Sequence, residues 1–165
     1  EYITMIDIRI EHSGLTEALT GLVQACRQRA PLMKELAGDM TDAVGSNFAA
    51  QGRPAWQGIR SRPGGRILQD SGKLAANIES RSDNDSAVVG TNEPYAAIHQ
   101  FGGKTRPHVI RARHAKALRF GGRFARSVNH PGSDIPARPF LSLTDDDTTR
   151  MEQRVADYLR QAIDG

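Results

Sequence analysis

The long apolar repeats of this 165-residue chain stand near its two ends, and the runs between them are short and broken. Residues 5–11 alternate strictly, with Ile6, Ile8 and Ile10 on one face and Asp7, Arg9 and Glu11 on the other, which predicts a half-buried strand. Leu15, Leu19, Leu22, Val23 and Cys26 then recur at helical spacing and predict an amphipathic helix over 15–30. Leu32, Leu36, Met40, Ala43 or Val44, and Phe48 predict a second helix, with Pro31 in its first turn and Gly52-Arg53-Pro54 as its stop after Gln51. The two form either one long kinked helix or a packed pair. At the far end, Thr144-Asp145-Asp146-Asp147 has the pattern of a capping box, with acid where the helix dipole favours it. Met151, Val155, Tyr158, Leu159 and Ala162 carry that helix towards the C-terminus.

Between these ends the signals shorten. Residues 52–66 are dense in Gly, Pro and Arg and predict a loop, which Trp56, the only tryptophan, plugs onto the core. Asp70 or Ser71 is placed to cap a short helix carrying Leu74, Ala75 and Ile78. Residues 79–91 predict a hairpin with its tip at Ser82-Asp83-Asn84-Asp85. Tyr95–Phe101 predicts a short helix that buries Tyr95, Ile98 and Phe101 and ends at Gly102-Gly103; His99 and Gln100 then satisfy backbone groups nearby. A second hairpin follows over 107–128, with Gly121-Gly122 as its tight turn. Ile135–Leu143 is extended, and its two prolines confine it to a sheet edge. Helices do not alternate regularly with strands. The order argues for an α+β fold with a mainly antiparallel sheet, N-terminal helices, a projecting basic hairpin and a C-terminal helix. Length predicts one domain over 1–165, with the basic hairpin inserted at about 104–134.

Charge is placed unevenly. Residues 43–69 and 94–133 contain no Asp or Glu and hold 12 of the 22 basic residues, while the rest carries 10 basic against 19 acidic ones. A basic pole and an acidic pole on one small protein suit an acidic partner, or head-to-tail contact between copies. Arg111, Arg113, Lys116, Arg119, Arg123 and Arg126 are the partner-facing or DNA-facing candidates; a merely solvated basic loop is the plainer alternative.

Signals for chemistry are thin. The five histidines lack metal-ligand spacing, so no metal site is expected. The glycine-rich pieces at 63–65, 102–103 and 121–122 lack phosphate-cradling and dinucleotide patterns, so no cofactor is expected. The single Cys26 excludes an internal disulfide, fits a reducing cytoplasm, and on its apolar stripe is expected to be a buried, inert thiol. Ser71 lacks a nucleophile-elbow pattern. No apolar run approaches the roughly 18 residues of a membrane span, and the first residues lack a secretory pattern; Met5 opens the clean alternation, so residues 1–4 are expected to lie upstream of the native start.

Four pieces occur in a fixed order: Leu68–Leu74 around Asp70-Ser71-Gly72, then Val89-Gly90-Thr91-Asn92, then Tyr95-Ala96-Ala97-Ile98-His99-Gln100-Phe101-Gly102-Gly103, then Ile135-Pro136-Ala137-Arg138-Pro139-Phe140-Leu141. Together they resemble the phage virion morphogenesis family, which takes in Mu-like G proteins and the tail completion proteins of contractile-tailed phages. The resemblance spans about residues 5–163. It implies a non-enzymatic structural protein of the head–tail neck or tail tip that works as a ring. It places the chain in the host bacterial cytoplasm during assembly and then in the virion. Its motif residues here are Tyr95, His99, Gln100, Phe101, Gly102, Gly103, Arg138 and Phe140. Arg138 pairs either with an acid of a neighbouring copy or within its own chain. Gly102-Gly103 would hinge the basic segment, which is longer and more basic than a minimal member needs. Two rival readings are a sequence-independent nucleic-acid-binding module using the basic hairpin, and a small hydrolase built on Ser71 and His99.

Overall fold

The computed structural model describes residues 13–59, 63–112, 117–120 and 122–164; the strand expected at 5–11 lies outside them. In chain order the elements are α1 (Ser13–Arg27), α2 (Ala30–Ala49), α3 (Lys73–Ala76), β1 (Glu79–Ser82), β2 (Ala87–Gly90), α4 (Ala96–Phe101), β3 (Gly103–Lys104), β4 (His108–Arg111), β5 (Leu118–Phe120), β6 (Arg123–Ala125), β7 (Ser127–His130), β8 (Asp134–Ile135) and α5 (Asp145–Asp164). This is the expected α+β arrangement. Its strands form four two-stranded ladders: β1–β2, β3–β8, β4–β7 and β5–β6. The chain divides into two compact units.

The first unit takes α1, α2 as far as Ala43, the hairpin Glu79–Val89, and the chain from Leu143 onward. The two N-terminal helices are separate, and an amide from the hairpin tip explains why. Asn84 Oδ1 accepts the backbone N–H of Arg29 at 2.7 Å and of Ala30 at 3.2 Å, while its Nδ2 donates to the Arg27 carbonyl at 2.9 Å. One side chain thus serves the end of α1 and the start of α2, where helices leave backbone groups without partners. The tip is itself held by Asp83, whose carboxylate accepts the N–H groups of Asp85 and Ser86, both at 2.7 Å.

Of the apolar stripe of α1, only Leu22 is half-buried. Leu15, Leu19 and Val23 are exposed, and so is Cys26, against the expectation of a buried thiol. The half-buried positions are instead Ala18, Gly21, Leu22 and Ala25. These small residues let α1 approach α5 closely: a Cβ on Gly21 would lie 2.2 Å from the Ala162 carbonyl oxygen. The Tyr158 hydroxyl of α5 donates to the Gln28 carbonyl at 2.7 Å. The stripe expected on α5, Met151, Val155, Tyr158, Leu159 and Ala162, is half-buried throughout. The capping box is present: Thr144 Oγ1 donates to Asp147 Oδ2 at 2.8 Å and accepts the Asp147 N–H at 3.2 Å. Arg154 ties α5 to α2 through Asp39 and Glu35.

The second unit comprises Val44–Ile78 and Gly90–Ser142. Its core is Val44, Phe48, Trp56, Ile67, Leu74, Ala96 and Phe140. Trp56 does plug its loop, meeting Phe48 edge-on at 5.8 Å between ring centroids, and Phe140 packs on Phe48 at 5.6 Å. The short helix α3 starts from Gly72 in the left-handed region, which has no side chain to cap with; the Lys73 N–H instead reaches Ser71 Oγ at 3.5 Å. The second hairpin forms as a nested arm. β4 pairs with β7 from His108↔His130 to Arg111↔Ser127, and β5 pairs with β6 from Leu118↔Ala125 to Phe120↔Arg123; Gly121 of the expected turn lies outside the described residues. Every residue of β4 is exposed, so neither of its faces covers the core.

Candidate functional site

The motif pieces around Tyr95–Gly103 and Ile135–Leu141 meet in the second unit, and side-chain amides hold them together. The segment after β8 is extended but has no strand partner for its peptide groups beyond Ile135. Gln100 Oε1 accepts the N–H of Phe140 at 3.0 Å and of Leu141 at 3.1 Å. Asn47 Nδ2, from α2, donates to the carbonyls of Phe140 at 2.9 Å and Ser142 at 2.8 Å. Arg53 Nε in turn donates to Asn47 Oδ1 at 2.8 Å. The Arg138 N–H donates to the His99 carbonyl at 2.7 Å. These bonds answer the need of a buried backbone for partners where a sheet ladder is missing.

This arrangement overturns the expected facing of α4. The helix turns Ala96, His99 and Gln100 inward and leaves Tyr95 39% and Phe101 79% exposed; Ile98 is half-buried. Gln100 must face the Phe140 segment to serve it, and Phe101, one residue on, then lies on the far side of the helix. Gly102-Gly103 is packed into the junction of the two motif pieces. Gly102 (φ 72°) sits where a Cβ would be 2.8 Å from the Ala137 nitrogen, so the glycine permits close packing of the two motif pieces. Gly103 enters β3 and pairs with Ile135. Phe140 is fully buried.

Beside this junction lies a pocket of about 1100 Å³. Three of the four resemblance pieces line it: Asp70, Ser71 and Leu74; Tyr95 and His99; and Ile135, Pro136 and Arg138. Arg138 is 7% exposed and pairs within its own chain, with carbonyls rather than an acid: Nε donates to Gln57 O at 3.0 Å and Nη2 to Gly58 O at 3.3 Å. His99 is half-buried, and its Nδ1 is sealed from solvent with no partner. Burial, followed by the nearby Arg138 charge, holds the imidazole below its ordinary pKa. Ser71 and His99 share the pocket but make no hydrogen bond to each other, and among the described residues no carboxylate orients the ring.

The His99 shift makes a prediction. An imidazole kept neutral by its surroundings binds fewer protons in the folded chain than in the unfolded one. Its contribution is therefore intact above the unfolded pKa near 6.5 and declines as pH falls through that value. Thermal melts from pH 8 to 5 are expected to show a steeper acid loss for the native chain than for His99→Gln; parallel curves would refute the assignment.

The basic arm is the second candidate surface. Arg111 ends β4, Arg119 lies in β5, Arg123 opens β6 and Arg126 follows it; all four are exposed. None of the four side chains makes an ion pair among the described residues, while Arg113 and Lys116 lie outside them. Val109, Ile110 and Phe124 are exposed on the same arm. The His108 and His130 rings stack across it at 5.1 Å.

Gln100 serves nearby backbone as the sequence predicts, but sequence reading missed the other amides. Asn47 and Gln51 stand on or beside the apolar stripe of α2, where a polar residue signals a buried acceptor or donor to be served; Gln51 Oε1 accepts the Ile67 N–H at 3.0 Å. Asn84 carries no comparable signal, because turn tips commonly hold asparagine.

Comparison with known proteins follows these observations. Residues 10–160 match the model of the phage virion morphogenesis family. The Mu-like prophage FluMu G protein 2 of Haemophilus influenzae is 43% identical over 160 residues, covering 96% of this chain and 99% of that protein. No solved structure matches the chain.

Proposed function

The chain belongs to the phage virion morphogenesis family, and on that premise we propose that it is a structural part of the virion, acting at the head–tail neck or in tail completion. The observation that carries this reading is the arm of β4–β7: four exposed arginines without ion-pair partners among the described residues, in a stretch of chain free of acidic residues. Unpaired charge on an exposed ladder is used when a partner supplies the other sign. The partners are neighbouring copies in a ring, through head-to-tail contacts in which one surface meets a different one, and other neck or tail proteins. The chain catalyses nothing in this reading and needs no cofactor. It assembles in the host cytoplasm and stays in the virion. No described helix is long and apolar enough to cross a membrane.

Removing the chain tests the proposal. Induction of a prophage lacking it is expected to yield separate heads and tails in electron micrographs, joined again when the chain is supplied. Joined, infectious particles without it would refute the reading.

The same arginines favour a second reading, sequence-independent contact with DNA in the channel. Such binding would weaken steeply with salt, because phosphate contacts release counterions. Absence of duplex binding at moderate salt would remove it.

A further inference from the structure

The pocket beside α4 holds a cation with no carboxylate partner among the described residues. Arg138 is 7% exposed, yet its acceptors are the Gln57 and Gly58 carbonyls, and among the described residues Nη1 has no acceptor and no carboxylate stands within ion-pair distance. Carbonyls satisfy donors without supplying a countercharge, and a buried charge is costly until one arrives. Burial accordingly pulls the Arg138 pKa down. His99, whose carbonyl accepts the Arg138 N–H, adds an imidazole that an incoming anion would help to protonate.

The rest of the lining decides which anion. Ile59, Leu68, Leu74, Ile135 and Pro136 make much of the wall apolar. Asp70 and Asp134 also line the pocket. A nucleic-acid backbone would bring a row of phosphates against the Asp134 carboxylate, whereas a single carboxylate on an aliphatic stem would meet Arg138 and leave the apolar wall covered. At about 1100 Å³ the space exceeds one side chain and fits a short stretch of extended chain. We infer that this pocket receives an aliphatic peptide segment of a neighbouring virion protein, with one Asp or Glu carboxylate on Arg138 Nη1 and the flanking apolar side chains against Leu68, Leu74 and Ile135. The donor being a virion protein rests on the assembly reading; the preference for an aliphatic carboxylate does not.

The test uses the full chain and three small probes: hexanoate, hexanamide and inorganic phosphate. The His99 imidazole signals are followed by NMR. Hexanoate is expected to shift them saturably in the millimolar range and to raise the His99 pKa. Hexanamide and phosphate are expected to bind at least about tenfold more weakly, the loss of a charge-assisted contact in one case and of apolar coverage in the other. Arg138→Gln is expected to abolish the hexanoate response. If that variant unfolds, Arg138→Lys, which keeps the charge without the fork, is expected to weaken hexanoate about tenfold. Equal shifts from hexanoate and hexanamide would reduce the site to an apolar cleft. Phosphate binding as tightly as hexanoate would make it a general anion site, and a non-saturating response would remove it. Each of these overturns the inference and leaves the outcome of the prophage-deletion experiment untouched.

Discussion

Changing Arg111, Arg119, Arg123 and Arg126 together to glutamate is expected to leave the purified chain folded while particles fail to complete. The first half follows from their surroundings. All four are exposed, and none has an ion-pair partner among the described residues whose loss would unfold anything. Surface exchanges of that kind usually move stability by about 0.5 kcal/mol or less each. The second half follows from what the charges are proposed to meet. Each exchange moves the charge by two, taking the formal net charge from +3 to −5. Like charges set against each other across an interface cost several kcal/mol, so partner affinity should fall on the order of 100-fold or more. Thermal melting checks the fold, and plaque counts with electron microscopy check completion. The matching glutamine variant separates charge from shape: it should fail less severely, because it removes attraction without adding repulsion. Salt titration on duplex DNA reads the rival, since a DNA-facing arm would lose its steep salt slope in both variants. Normal particles from the glutamate variant would refute the role given to the arm.

The features legible in the sequence were those written in a repeat or a turn. The capping box at Thr144, the stripe of α5, the Asp83–Asp85 hairpin tip and the pairing of β5 with β6 all depend on local chemistry, and each is where its residues put it. The errors share one cause. On α1 and α4 periodicity points to the more apolar face as the buried one. On α1 a close helix approach selects Ala18, Gly21, Leu22 and Ala25 over Leu15, Leu19 and Val23. On α4 the unpaired backbone of the Phe140 segment selects Gln100 over Phe101. Both choices are made by a neighbour remote in sequence, which periodicity within one helix does not contain. The pocket was out of reach for the same reason: Asp70, His99 and Arg138 were each visible as parts of separate motif pieces, but their meeting around one space is a product of the fold.

Two phenylalanines of the family motif provide the sharpest check of that account. Phe140→Ala is expected to cost about 3–5 kcal/mol, the usual range for emptying a buried aromatic site. Phe140 is fully buried and packs on Phe48. Against a typical domain stability of about 5–15 kcal/mol, that loss should leave much of the chain unfolded at 37 °C. Phe101→Ala, at 79% exposure, should stay within about 0.5 kcal/mol. Asn47→Ala is expected to fall near the first of these rather than the second. It removes the donor to the Phe140 and Ser142 carbonyls and the acceptor for Arg53 Nε, and each buried group left without a partner costs about 1–3 kcal/mol. Asn47→Asp should do no better, because a carboxylate keeps the Arg53 contact but turns two donor bonds into repulsions. Phe140→Ala and Asn47→Ala act on one segment, so the double variant should lose less than the sum of the two. Urea unfolding measures all five variants. A Phe101→Ala cost equal to that of Phe140→Ala would mean that α4 faces the other way, and the pocket built on its inward His99 would go with it.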